Sequence, residues 1–515
     1  MRSNLVHIAL CLFVMIGESQ ADVRLPAVFG SNMVLQRNSP IPVWGSASPG
    51  ESIHVVLDGQ EKVSTADPVG NWLVTLDPVA GGGPFEMVIR GRNSITLKNI
   101  LIGEVWICSG QSNMSFELKK ATDAENVLPK VSNPNIRLFN AKRVLSDVPL
   151  KEGKGKWEEC TPTSAEKFSA VAYFFGKNLY DSIHVPIGLI HVSWGGTAAE
   201  GWMPREVLER DSEFLPIIQR WIDDSIHYPF ALKEFNESLP AATAKWNSDS
   251  VTAVALGRAL PRKPTAPRGP GHRDMPCGQF NGMLNPIIPF AMRGVIWYQG
   301  EANASRGYQY RKLFPALIAS WRSLWGEGDF PFYYVQLPNL DRQPEPSKSG
   351  WAEVRESQLM TLSVPNTGMA VTIDVGDPAN LHPTNKKPVG ERLALIALAK
   401  TYHYSLEYSG PLYESAVADG NRMRIRFSHA GGGFTVTGNS TIKGFTIAGA
   451  DRKFYPAKAD LHDAEIVVFS PQVPVPVSVR YGWADNPSCN LYNAAGLPAS
   501  PFRMDDWPEV TFRKR

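Results

Sequence analysis

The sequence predicts an α/β protein in which a parallel β-sheet is flanked by helices, with a β-sandwich-like region before it and another after it. Three observations carry this. From residue 104, apolar runs such as "EVWIC", "IGLIHVS" (187–193), "GVIWY" (294–298), "FYYVQL" (332–337) and "MAVTIDV" (369–375) alternate with helical stripes. Strands buried on both faces read as continuous apolar runs, and their alternation with helices marks βαβ crossovers. Between residues 22 and 101, short runs such as "IPVWGS", "SIHVVLDG", "WLVTLDP" and "FEMVIRG" are separated by Gly, Pro and Asp, the spacing of a small antiparallel sandwich. After residue 404 the same grammar returns in "MRIRFSH", "GFTVTG", "GFTIAGA", "EIVVFS" and "VSVRYGW".

In chain order, residues 1–21 pair Met1-Arg2 with the apolar "LVHIALCLFVMIG" and end in Ser19-Gln20-Ala21. A charged start, a short apolar stretch and small residues before a cut describe a signal peptide, with cleavage expected after Ala21. The run is shorter than the roughly 20 residues of a membrane span. The mature chain is therefore expected to be soluble, without a membrane partner, and secreted, periplasmic or lysosomal. An N-terminal β-domain is expected over 22–101, a catalytic domain over 102–403, and a C-terminal β-domain with a returning segment over 404–515.

Within 102–403, a polar helix is expected to start at Ser112. Phe168, Val171, Ala172, Phe175 and Leu179 share one helical face, as do Leu313, Phe314, Leu317, Ile318 and Trp321. Helices are also expected over 351–363 and around Leu393 to Ala399. Residues 205–275 read as an insertion, a charged helical piece followed by the mobile "RALPRKPTAPRGPGHR".

Composition excludes several classes. A chain of 515 residues with 43% hydrophobic content, 14 Trp and 23 Phe builds two or three real cores and is not disordered. Lys and Arg number 52 against 50 Asp and Glu, for a net charge of +2, with no basic stripe, so nucleic acid is not an expected partner. Beyond the leader, Cys108, Cys160, Cys277 and Cys489 permit two disulfides in three pairings, or free buried thiols, and match no zinc spacing. Asn236, Asn303 and Asn439 head glycosylation sequons.

Reactive groups of open parallel sheets collect at the carboxyl ends of the strands. Those ends carry Ser112, Gly195-Gly196-Thr197, Gln299-Gly300-Glu301, and the stretch from Asp374 to His382. A serine there either caps a helix or presents a nucleophilic oxygen on a sharp turn near backbone donors. Gly110 suits such a turn. Gly196 can bring a bare N–H close to a reacting centre, and Gln299 can offer an amide. Glu301 and Asp377 read singly as solvated acids, and His382 as a loop histidine. The ordered combination is more specific than any one of them.

The segments "GEVWICSGQSNM", "GLIHVSWGGTAAEGWMP", "GVIWYQGEANA", "DPANLHPTNKKPVGERLA" and "YGWADNPSCNLYNAAGLPASPF" resemble the signature blocks of the sialate O-acetylesterases, a family of SGNH hydrolases. The resemblance implies an SGNH-hydrolase-like fold, Ser112 as nucleophile and His382 as its base. It implies an oxyanion hole from the backbone N–H groups of Ser112 and Gly196 with a side chain of "QGEAN", Gln299 being preferred over Asn303. The aspartate usual three residues before the histidine is replaced by Ala379, leaving Glu301 or Asp377 to orient His382, with Glu301 favoured. Trp194 and Asn113 are the expected substrate contacts, and Trp202, Tyr308 and Tyr310 further candidates for stacking on a sugar. No metal or organic cofactor is implied. The substrate implied is an O-acetylated sialic acid, the alternative an acetylated polysaccharide such as xylan. Two other classes stay open on the residues alone: a glycosidase using Glu301 and Asp377, and a non-catalytic carbohydrate-binding protein.

Overall fold

The computed structural model describes residues 22–258, 260–341, 349–438 and 441–515. The leader over 1–21 and Asn439 lie outside the described residues. Seven strands come first: β1 (Val34–Gln36), β2 (Ile41–Ser46), β3 (Ser52–Leu57), β4 (Gln60–Thr65), β5 (Asn71–Leu76), β6 (Gly82–Arg90) and β7 (Ser94–Gly110). They pair antiparallel, as β2 with β5, β4 with β3, β3 with β6 and β6 with β7; the exception is β1, parallel to β7.

β7 changes character along its 17 residues. Its first half alternates between core and solvent beside β6, whereas every residue from Ile100 to Gly110 is buried. The reason is the change of neighbours. One wet face suits an antiparallel ribbon, but a strand inside a parallel sheet has helices over both faces. The expected division at 101/102 falls inside this strand.

Around β7 the central sheet adds β8 (Asn133–Asn140), β9 (Trp157–Cys160), β10 (Ile187–Ser193), β11 (Gly294–Tyr298), β12 (Phe332–Val335) and β13 (Thr367–Ala370). The order is β13-β12-β11-β7-β10-β8-β9, parallel throughout except for β8 with β9. The chain builds one side of β7 first and then crosses to the other, so the order reverses at β7, where such sheets hold their ligands. Helices Ala170–Ile183 and Lys387–Lys400 cover one face, in contact with each other through Gly390, where a methyl group would lie 2.6 Å from Phe174 Cβ. Trp106 packs edge-on against Phe175 there, while Trp297 meets Phe314 and Trp321 of helix Gly307–Trp325. Each such fully buried ring contributes about 2–3 kcal/mol of burial.

Residues 412–503 form two four-stranded antiparallel sheets and a two-stranded one around their own core. One tie to the central region is Arg355 of helix Gly350–Met360, fully buried, which donates to the carbonyls of Leu337, Pro338, Ala484 and Asp485 at 2.6–2.9 Å. The insertion contains a 41-residue helix, Leu215–Ala255, that runs through Pro229 and Pro240. The return segment is pinned to it: Trp246 Nε1 donates to the Pro261 carbonyl at 3.0 Å, and Gly269 sits against the Tyr228 ring.

Three expectations change. Ser112 opens a turn, not a helix; a single 3₁₀ turn, Leu118–Lys120, follows. The strand expected over 369–375 lies at 367–370, because the chain leaves the sheet after Ala370. The cysteines are all free thiols among the described residues, three of them buried, so the two-disulfide reading is replaced by the free-thiol one. Among the described residues no helix is long and apolar enough to cross a membrane.

One buried carboxylate joins the first strands to the central sheet. Glu104 of β7, fully buried, accepts from Arg37 Nε at 2.5 Å, Arg293 Nε at 2.6 Å, Tyr402 Oη at 3.1 Å and Gln36 Nε2 at 3.3 Å. Its removal strands two guanidinium groups. Glu104→Ala is expected to cost about 3–5 kcal/mol, read as a lower thermal midpoint, with Glu104→Gln losing less. An unchanged midpoint for Glu104→Ala would show that the arginines find other partners.

Candidate active site

The ends of β7, β10 and β11 meet at one residue. Gly110 pairs with Ser193 on one side and Tyr298 on the other. Its φ is +134°, and a methyl group there would lie 2.1 Å from the Tyr298 carbonyl oxygen. Only glycine fits. The chain is then held by two backbone bonds, Gln111 N–H to the Tyr298 carbonyl at 2.9 Å and Trp194 N–H to the Gly110 carbonyl at 3.1 Å.

Ser112 follows on this turn, half-buried. Its hydroxyl caps no helix and makes no hydrogen bond among the described residues. Gly195 packs directly on it: a methyl group at Gly195 would lie 3.2 Å from Ser112 Cβ. Gly196 comes next with φ +78°, and the backbone N–H groups of Ser112 and Gly196 both lack a partner among the described residues. A free hydroxyl beside free N–H groups is the arrangement that attack on a carbonyl requires.

Gln299 does not supply a further donor. It is fully buried, with Nε2 given to Asn303 Oδ1 at 2.7 Å and the Thr197 carbonyl at 3.3 Å, while Oε1 accepts from Tyr310 Oη at 2.9 Å. Asn303 fixes the adjoining loop, accepting from Ala199 N–H at 3.0 Å and donating to Glu200 at 2.8 Å.

Asn113, expected at the substrate, is fully buried and fully committed. It donates to Glu301 Oε1 at 2.6 Å and to the Leu381 carbonyl at 3.1 Å, and it accepts from Lys386 Nζ at 2.5 Å. The residue beside Ser112 thus holds the residue before His382. Neither candidate acid touches the His382 ring among the described residues. Glu301 reaches the histidine loop only through Asn113. Asp377 is spent in a turn, accepting from Ala379 N–H at 2.9 Å, while Asn380 Oδ1 accepts from His382 N–H at 2.9 Å. Both acids are thus engaged in holding backbone and loop, Glu301 through Asn113 and Asp377 in its own turn.

Sequence reasoning missed Lys386. It is buried over the rings of Phe116 and Tyr298, at 5.0 and 5.4 Å. Burial pulls its ammonium down to about 7, against the pull of Glu301. Burial pushes the Glu301 carboxyl up, with the Asn113 hydrogen bond and the Lys386 charge opposing. His382, half-buried, is held below the usual histidine value by desolvation and then by Lys386. Lys386 reads in sequence as one more solvated lysine of "TNKKP".

A second serine–histidine contact lies nearby. His191 Nε2 and Ser193 Oγ are 2.5 Å apart, Ser193 Oγ and Ser115 Oγ 2.6 Å, and His191 Nδ1 meets Asn140 Oδ1 at 2.8 Å. Both His191 and Ser193 are buried, and burial takes the imidazole down to about 3. This chain braces the turn that bears Ser112. Trp194 is half-buried with Arg143 at 5.9 Å from its ring. Trp202 and Tyr310 are fully buried and belong to the core, so they do not stack on a sugar, and the half-buried Tyr308 packs edge-on against Phe512. Among the described residues no three His, Cys, Asp or Glu side chains gather as metal ligands.

Gly110→Ala puts a methyl group into the Tyr298 carbonyl and is expected to cost about 2 kcal/mol or more. Urea unfolding of the two proteins measures this. Equal stability would mean that the three strand ends can move apart.

The profile of the family described as "Carbohydrate esterase, sialic acid-specific acetylesterase" matches residues 102–225 and 281–399. The chain is 29% identical to the sialate O-acetylesterase of Mus musculus, over 93% of this chain and 94% of the relative, and 28% identical to that of Homo sapiens, over 93% and 92%. A solved carbohydrate acetylesterase from Xanthomonas citri is 36% identical, with a TM-score of 0.79 over 94% of this chain and 100% of the other. On these similarities and the site just described, the chain belongs to the sialate O-acetylesterase family and is a carbohydrate acetylesterase of that type.

Proposed function

We propose that this esterase works by serine acyl-enzyme chemistry of the SGNH type, removing O-acetyl groups from sialic acids. The observation that carries the reading is the pair of unbonded N–H groups, Ser112 and Gly196, beside a serine hydroxyl that caps nothing. His382 takes the proton of Ser112, and the oxygen attacks the acetyl carbonyl. The two N–H groups hold the oxyanion, the sugar alcohol leaves with the proton from His382, and water then releases acetate by the same steps. The third donor proposed is the second N–H of the Asn303 amide, whose first goes to Glu200, because both N–H groups of Gln299 are consumed internally.

The orienting role proposed for Glu301 is indirect: through Asn113 it fixes the backbone of the His382 loop. We also propose that the leader directs export, and that the protein acts in a secreted, periplasmic or lysosomal setting. The sialic acid substrate rests on the family description.

Two experiments bear on the chemistry. Ser112→Ala is expected to lose more than about 10³-fold in kcat and to escape labelling by a fluorophosphonate, at an unchanged melting temperature. Normal turnover in that variant would remove the mechanism.

The second is the pH profile. His382 must be neutral to accept the proton, so the acid limb of kcat/KM should fall below the ordinary histidine value of about 6.5. Below about 7 Lys386 carries its charge and opposes a second one on His382. Lys386→Met lifts that opposition, and its acid limb should move to higher pH. A shift to lower pH would contradict the assigned coupling.

A further inference from the structure

Beside Gly196 lies a cavity of about 270 Å³ that the acyl chemistry does not use. Gly196 and Ala302 form its inner wall. Both walls belong to the site: Gly195 packs on Ser112, and Ala302 N–H donates to Gln111 Oε1 at 3.2 Å. The outer wall comes from the insertion, through the first turns of helix Leu215–Ala255 and the return segment.

The lining carries four guanidinium groups, Arg220, Arg268, Arg273 and Arg306, against three carboxylates, Glu200, Asp224 and Asp274. Three of the four are answered. Arg306 pairs with Glu200, and Arg268 Nε lies 3.0 Å from Asp274. Arg220 donates to the Arg515 carbonyl and feels Asp224 one turn further along its helix. Arg273 is left over. Its side chain makes no hydrogen bond or ion pair among the described residues, and it is exposed to a ligand. Its guanidinium lies over Gly196, where a methyl group would be 2.9 Å from Cζ. Arg306 Nε, in the same wall, is buried without a partner.

We infer that this cavity is the subsite for the carboxylate of an anionic sugar, with Arg273 as its main partner and a specificity-determining residue. The inference rests on the sialic acid reading above and deepens it. A guanidinium presents two parallel N–H groups to a carboxylate, a geometry no neutral sugar matches. Gly195 packs on Ser112 and Gly196 under Arg273, so the cavity opens from the serine and can take the far, charged end of a sugar whose ester lies at Ser112. The insertion thus supplies charge selection to a site whose chemistry the sheet provides.

The test compares three substrates in native protein and Arg273→Gln: 9-O-acetylated sialic acid, its methyl ester, and neutral 4-nitrophenyl acetate. The native protein should prefer the free acid over the methyl ester by about tenfold or more in kcat/KM. Arg273→Gln should remove that preference, chiefly through KM, and leave the aryl acetate unchanged; Arg273→Lys should restore part of it. Equal native rates on acid and methyl ester would overturn the proposal. So would an equal loss on the aryl acetate, which would move Arg273 to the oxyanion. Failure of the native protein on the aryl acetate would instead overturn the acyl-transfer reading, and aryl acetate turnover without sialic acid turnover would overturn the substrate.

Discussion

The structure depends on the close meeting of three strand ends at Gly110. β7 is shared between the antiparallel first strands and the parallel sheet, and β10 and β11 flank its end in register. Because the Tyr298 carbonyl occupies the space of a side chain at Gly110, the chain turns sharply there. That turn presents Ser112 to one side and drops Asn113 into the interior. Gly195, just after β10, packs onto Ser112, so this glycine and Gly110 at the end of β7 together frame the serine. This is the switch point of an open sheet, and the site lies where the order of strands reverses.

The histidine loop is held differently from the usual carboxylate arrangement. Ala379 occupies the position at which the family resemblance led to an aspartate being expected, and Asp377, two residues earlier, closes a turn. Order comes from Asn113, which connects Glu301, Lys386 and the Leu381 carbonyl in one buried network. The electrostatic consequence has a sign. A carboxylate beside the ring would favour imidazolium, whereas Lys386 disfavours it. The balance favours a neutral His382 imidazole.

Much of this was legible in the sequence, and the reasons are physical. β10 and β11 were found at their observed bounds because fully buried strands are unbroken apolar runs. Ser112, Gly196 and His382 stand out because each sits in a short motif at a strand end. The helix expected at Ser112 was wrong because a polar run after a strand reads alike as helix or turn, and only the Tyr298 carbonyl decides. The roles of Gln299 and Asn113 were illegible, since an amide's availability depends on partners far away in the chain. Lys386 was hidden for the same reason: burial under two rings comes from distant segments. Arg273 lay in a stretch read only as a mobile loop, and its meaning appears when the neighbouring charges are paired off.

The most direct measurement is mass spectrometry of protein quenched in acid during turnover of an acetyl ester. With the Ser112 nucleophile, the peptide containing Ser112 gains one acetyl group, and the fraction modified rises with the concentration of a reactive aryl acetate, whose good leaving group speeds acylation and leaves deacylation as the slow step. An acetyl group on another residue, or no modified peptide while acetate accumulates under conditions of slow deacylation, would contradict it.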